Sequence, residues 1–159
     1  GYTDFLQLVQ LGVTNVVALS GTALADKHAA QIRKFASKVY LAYDGDDAGI
    51  NATLRAGYVL LQAGVEPLII AVPTNPDPDN WVRDEGVGPF QEAMGAGIPL
   101  LSFHLEKKEA RNLSGSDRSQ LVQDILGEVA RISDGIIRDD ILKSLAKTLE
   151  VDEVSICLL

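Results

Sequence analysis

Two apolar runs, KVYLAY at residues 38–43 and EPLIIAV at residues 66–72, bracket a long alanine- and leucine-rich stretch, AGINATLRAGYVLLQAG, that ends at Gly64. Strands that are apolar throughout rather than alternating are buried on both faces. Joined by a helical crossover, they are the pattern of a parallel sheet covered by helices. Upstream, NVVAL at 15–19 is β-branched and apolar and reads as a further strand. Before it, YTDFLQLVQLG puts Phe5, Leu6, Leu8, Val9 and Leu11 on one broad face and stops at Gly12, as an amphipathic helix does. LADKHAAQIRKFAS repeats Leu24, His28, Ile32 and Phe35 at helical spacing. The expected order through residue 72 is therefore helix, strand, helix, strand, helix, strand.

The pattern changes near Gly97. IPLLSFHLEKKEA reads as a helix, and NLSGSDRS as a polar linker with a capping serine or aspartate. QLVQDILGEVARI and DDILKSLAKTLEV read as two further amphipathic helices. This divides the chain into an α/β domain over residues 1–97 and a helical subdomain over residues 98–159.

Composition narrows the chemistry. A chain of 159 residues with 47% hydrophobic content can bury one sizeable core. Its longest apolar runs fall short of the roughly 20 residues a membrane helix needs, and a cytoplasmic setting is expected. Cys157 is the only cysteine, which excludes an intrachain disulfide and a cysteine-based zinc site. The net charge of −8 is opposite in sign to an ordinary nucleic-acid-binding surface. A chain of this charge acting on nucleic acid needs metal ions to offset its carboxylates, or a basic surface supplied by another part of the protein.

Carboxylates gather where the two apolar runs end. Asp44 and Asp46 stand two apart across Gly45, so on an extended strand end both side chains converge. Such a pair needs a shared proton, a nearby cation or a divalent metal, and hard carboxylate oxygens favour magnesium or manganese over zinc. The alternative is a turn whose aspartates cap the next helix, a role expected of Asp47. NPDPDNW repeats the motif with Asp77 and Asp79, beside Pro76 and Pro78, which suit a rigid ligand loop or an ordinary turn. Ligands of parallel α/β sheets collect beyond the carboxyl ends of the strands. Two acidic pairs at two such ends can face one crevice, as in a multi-metal phosphoryl-transfer site.

Other chemistries lack their motifs. Neither GxxxxGK[ST] nor GxGxxG occurs. DGDDAGINATLR places Gly49 correctly for a calcium loop but puts Arg55 where a bidentate glutamate belongs. Ser20 and Ser102 find no catalytic partner in His28 or His104, which read as helix-surface or interface residues. Trp81, Met94 and the phenylalanines read as core. Gly21 and Thr22 in SGTA either present backbone amides to a phosphate or make a plain strand-to-helix turn.

Taken in order, GYTDFLQLVQLG, VVALSGTALADKH, VYLAYDGDDAG and DPDNWVRDEG resemble the TOPRIM domain of bacterial DnaG-type primases. The segment from PLLSFHLE onward resembles the helical subdomain of the same polymerase core. The resemblance implies a TOPRIM-type parallel sheet flanked by helices. It also implies metal-dependent nucleotidyl transfer that makes RNA primers for DNA replication. Asp44 and Asp46 match the metal-binding DxD, and Asp77 and Asp79 match the second acidic pair, which helps hold metal and the incoming nucleotide's phosphates. Tyr2 and Asp4 match the EGYxD motif; Gly21, Thr22, Gly45 and Gly49 support the site.

The glutamate of the EGYxD motif is expected directly before Gly1, so the chain reads as a fragment, monomeric and inactive by itself. Zinc is expected only in an absent N-terminal domain, and the replicative helicase is expected to bind an absent C-terminal domain. Single-stranded DNA template and ribonucleoside triphosphates are the implied substrates. A TOPRIM nuclease of the OLD or RNase M5 type and a RecR-like interaction module are the competing readings.

Overall fold

The computed structural model describes residues 2–19, 23–43, 45–71 and 78–157. Helix α1 (Tyr2–Gln10) ends where Gly12 adopts a positive φ of 90°, and the Val13 N–H reaches back to the Leu8 carbonyl. Only glycine takes that left-handed conformation without steric cost, which explains the stop. Helix α2 (Asp26–Ile32) leads into strand β1 (Lys38–Leu41), helix α3 (Asp47–Gln62) and strand β2 (Glu66–Ile69). Helices α4 (Pro78–Glu85) and α5 (Val87–Gly95) precede strand β3 (Ile98–Pro99). The chain then continues as α6 (Leu100–Lys107), α7 (Gly115–Val129), α8 (Gly135–Leu149) and α9 (Glu153–Cys157).

The sheet runs β1-β2-β3. β1 and β2 are parallel, with Leu41 opposite Ile69, and the Ile70 N–H extends the ladder to the Leu41 carbonyl. Ile69 and Ile70 are both buried yet join different clusters, Ile69 with Tyr58 and Phe103, Ile70 with Leu8 and Trp81. Neighbouring residues of a strand point to opposite faces, so β2 is covered on both.

Three expectations are corrected. The sheet is mixed rather than wholly parallel, because Ile98–Pro99 begins no helix and pairs antiparallel with β2. Pro99 lacks an N–H and biases Ile98 toward extended backbone, so this edge position suits it and α6 starts one residue later. Residues 15–19 form no strand: Val17 is 77% exposed, while Val16 and Leu19 pack as single side chains against separate clusters. β-propensity describes fitness for a pleated, half-buried surface, and among the described residues no strand pairs with this segment. Phe35 is not core. Helix α2 ends at Ile32, a turn follows in which the Phe35 and Ala36 N–H groups both donate to the Ile32 carbonyl, and the ring is left 87% exposed.

The tail packs around Leu105, Leu121, Ile125, Val129, Ile132, Leu145, Leu149 and Ile156. Ser114 caps α7 by accepting the Asp117 N–H, and Asp134 caps α8 by accepting the N–H groups of Ile136 and Ile137. Helix α6 is shared. Leu105 enters the tail core, whereas Leu100 and Phe103 pack with Leu54 and Tyr58 of α3.

Candidate active site

The loop from β1 to α3 carries the first acidic group. Asp46 is extended, with φ −80° and ψ 171°, and its Oδ1 accepts the Gly49 N–H at 2.7 Å. Its own carbonyl accepts the Ile50 N–H. Asp46 is therefore the N-cap of α3, and the cap expected of Asp47 is reassigned. Only the extended residue before the first turn can fold its carboxylate onto the third helical amide. Asp47, already helical and exposed, instead places its charge at the positive end of α3. Gly49 is buried, and its carbonyl accepts the buried Thr53 hydroxyl at 2.8 Å, which fixes the first turn behind the loop.

The second acidic segment enters α4 at Pro78, with Asp79 in the first turn. Trp81 anchors this helix. Its ring packs edge-on to Phe90 with centroids 6.1 Å apart, and its indole N–H donates to Glu85 at 3.2 Å. Leu8 joins the same cluster, so α1, which carries half-buried Asp4, packs against α4. Tyr2 is exposed and stacks on Phe5. Since β1 and β2 are parallel neighbours, their carboxyl ends lie side by side. Gly45 and Asp46 leave one, and the chain toward Asp79 leaves the other. Asp44, Asp77, Gly21 and Thr22 lie outside the described residues.

Beside the loop is a cavity of about 320 Å³ bordered by Leu24, Tyr43, Ala52, Arg55 and Ala56. Burial pushes the Tyr43 phenol above its ordinary value, so it remains a neutral hydroxyl. Sequence reasoning treated Arg55 only as the residue that excludes a calcium loop. Arg55 lies on α3 nine residues past the Asp46 cap, and its place on the cavity wall follows from the fold rather than from helical spacing.

A second feature was legible in the sequence only as the interface reading of His104; its partner was not. The Tyr58 hydroxyl and His104 Nδ1 lie 2.9 Å apart in the α3–α6 interface, both buried. Burial, with the Lys108 charge adding, lowers His104 to about 4, against the opposing pull of Asp124 and Glu128. His104 is therefore neutral near pH 7. One turn along α3, the Gln62 side-chain amide donates to the Glu128 carboxylate at 2.9 Å and to its carbonyl at 3.1 Å.

Among the described residues no group of three or more His, Cys, Asp or Glu gathers closely enough to hold a metal ion. The donors that the loops do supply are hard carboxylate oxygens, which fit magnesium or manganese. Asp46 Oδ1 accepts the Gly49 amide, and Oδ2 is the oxygen not used by the cap.

Residues 1–82 match a family model described as Toprim-like, and the chain belongs to that family. Within it, the likeness is to the DnaG-type primases. A DNA primase of Clostridium acetobutylicum is 34% identical over 158 residues, covering 98% of this chain and 26% of that protein. The Aquifex aeolicus primase structure, comprising zinc-binding and RNA polymerase domains, superposes with a TM-score of 0.80 at 31% identity over 99% of this chain and 38% of that one. A DnaG primase catalytic domain bound to single-stranded DNA gives 0.83 at 27% identity over 98% of this chain and 51% of that one. The chain thus spans about a quarter of the length of the curated relatives it matches. A second family model, described as the DnaB-helicase binding domain of primase, matches residues 107–153. The helicase contact was expected in a domain beyond this chain; the match falls on α7 and α8 within it.

Proposed function

We propose that this chain is part of the catalytic core of a DNA primase, a DNA-dependent RNA polymerase that makes short RNA primers for DNA replication. The observation carrying this reading is that two acidic segments leave adjacent carboxyl ends of one parallel strand pair, in a chain similar to DNA primases over nearly its whole length. Asp44, Asp46, Asp77 and Asp79 would hold magnesium or manganese, with Asp44, Asp46 and Asp79 closest to the reaction. The chemistry such ions supply is activation of a hydroxyl nucleophile and neutralisation of charge on a triphosphate.

The remaining residues orient and balance charge. The Gly49 amide holds the Asp46 carboxylate in one rotamer with Oδ2 free. Arg55, on the cavity wall beside Tyr43, supplies a cation for the phosphates of a ribonucleoside triphosphate. Gly45 and Gly49 keep the loop compact, and α1 with Tyr2 and Asp4 backs the second acidic segment through α4. Residues 1–97 form the metal-binding unit. Residues 98–159 form a helical subdomain, whose α7 and α8 are the surface offered to a replicative helicase. Single-stranded DNA is the template, and this chain alone is monomeric and does not synthesise primers.

Manganese titration of the chain and of the Asp44→Asn, Asp46→Asn double variant tests the metal site; equal affinity in both would sink it. The same double change in the longer protein should abolish template-dependent ribonucleotide synthesis. Retained synthesis would refute the assignment.

A further inference from the structure

The cations of the α/β part are unevenly placed. Lys27, Arg33, Lys34 and Lys38 follow one another with no Asp or Glu between them, whereas only Arg55 and Arg83 carry positive charge elsewhere before residue 100. In a chain of net charge −8 this is a local reversal of sign. All four side chains are exposed, and among them stands Phe35, whose ring is 87% exposed.

The fold draws the sequence cluster into one surface. Arg33 closes α2, and a Cβ built on Gly64 would lie 3.5 Å from its Cζ, so the guanidinium lies over the turn that enters β2. Lys38 opens β1 opposite Glu66 of β2, and the two side chains pair at 3.3 Å. Lys34 and Phe35 sit in the turn between, held by N–H donation to the Gln31 and Ile32 carbonyls. Glu66 offsets one charge, and the surface stays positive. It occupies the amino end of β1, at the opposite end of the strand from Asp46.

A solitary exposed aromatic ring is unremarkable. A ring among cations that outnumber their one carboxylate neighbour, Glu66, is the composition of a single-strand nucleic-acid contact. There the cations track phosphates, and a base stacks on the ring in a sequence-tolerant way. We propose that Arg33, Lys34, Phe35 and Lys38 form a contact for single-stranded nucleic acid, distinct from the acidic site and at the far end of the same strand. The proposal goes beyond the metal chemistry and does not depend on it. If manganese binding failed its test, this surface would stand.

The experiment is fluorescence anisotropy of a labelled oligodeoxythymidylate with the full chain across a series of sodium chloride concentrations. Changing Arg33, Lys34 and Lys38 to Gln should flatten the slope of log affinity against log salt by about 2, from roughly 0.7 per phosphate contact. Phe35→Ala should weaken binding about fivefold or more with the slope unchanged. Phe35→Trp should keep binding and add an emission that the oligonucleotide quenches, a readout independent of any change in stability. No binding by the unaltered chain, or the same affinity and slope in the Gln and Ala variants, overturns the proposal. So does competition by polyglutamate that ignores Phe35→Ala, which would assign the surface to an acidic polypeptide.

Discussion

The Tyr58 hydroxyl and His104 Nδ1, 2.9 Å apart, join the middle of α3 to α6 through a hydrogen bond closed to solvent. The pair makes stability sensitive to pH. The unfolded chain takes up a proton on His104 near 6.5, whereas the folded chain resists it until about 4. Stability therefore falls as pH drops through that window, by on the order of 3 kcal/mol. Denaturant unfolding of the native chain and His104→Gln at several pH values should show a difference between them that shrinks from pH 7 to pH 4. A constant difference would contradict the buried neutral histidine.

Asp46 serves as a helix cap and as a proposed ligand, and two substitutions separate these roles. Asparagine caps as well as aspartate, so Asp46→Asn should leave unfolding midpoints nearly unchanged while weakening manganese binding. Asp46→Ala loses both and should cost about 1 kcal/mol of stability as well. Equal stability in the two variants would mean that the Gly49 hydrogen bond contributes nothing.

Gly57 lies where α3 meets α6. A Cβ there would come within 2.4 Å of Leu100 Cδ1 and 3.2 Å of its Cγ, and Leu100 is itself buried. Gly57→Val should therefore destabilise by about 1–3 kcal/mol through overpacking, despite valine's better helix propensity. Leu100→Ala in the same chain should recover part of the loss, as a double-mutant cycle would reveal.

Ile125 is fully buried at the centre of the tail. Ile125→Ala should cost about 2–5 kcal/mol, read as a lowered thermal midpoint. Because Leu61 of α3 and Leu101 of α6 also pack against this cluster, the loss should appear in the main unfolding transition.

Local signals in the sequence made much of this structure readable. The apolar runs 38–43 and 66–72 and the glycine stop of α1 are short-range and were resolved by pattern and spacing; a capping serine or aspartate before α7 was expected, and the structure makes it Ser114. Residues 15–19 and Ile98–Pro99 turned on which strand lay alongside, which no local pattern states. Phe35 fell at core spacing only on the assumption that α2 ran past Ile32. At the site, the sequence placed Asp46 just beyond a strand, but the cap fell to Asp46 rather than Asp47 because it depends on where the backbone turns helical. Tyr58 and His104 stand 46 residues apart, so nothing in either segment announces their meeting.

Helix α3 is gripped at three points: the Asp46 carboxylate at its first turn, Leu100 against Gly57 in its middle, and Glu128 on Gln62 in its last turn. Its 16 residues make a rod of about 24 Å. Mechanically, it is a strut fixed at both ends. A pull on α7 at Glu128 bears directly on the helix whose opposite end holds the acidic loop, with no slack linker between them to absorb the load.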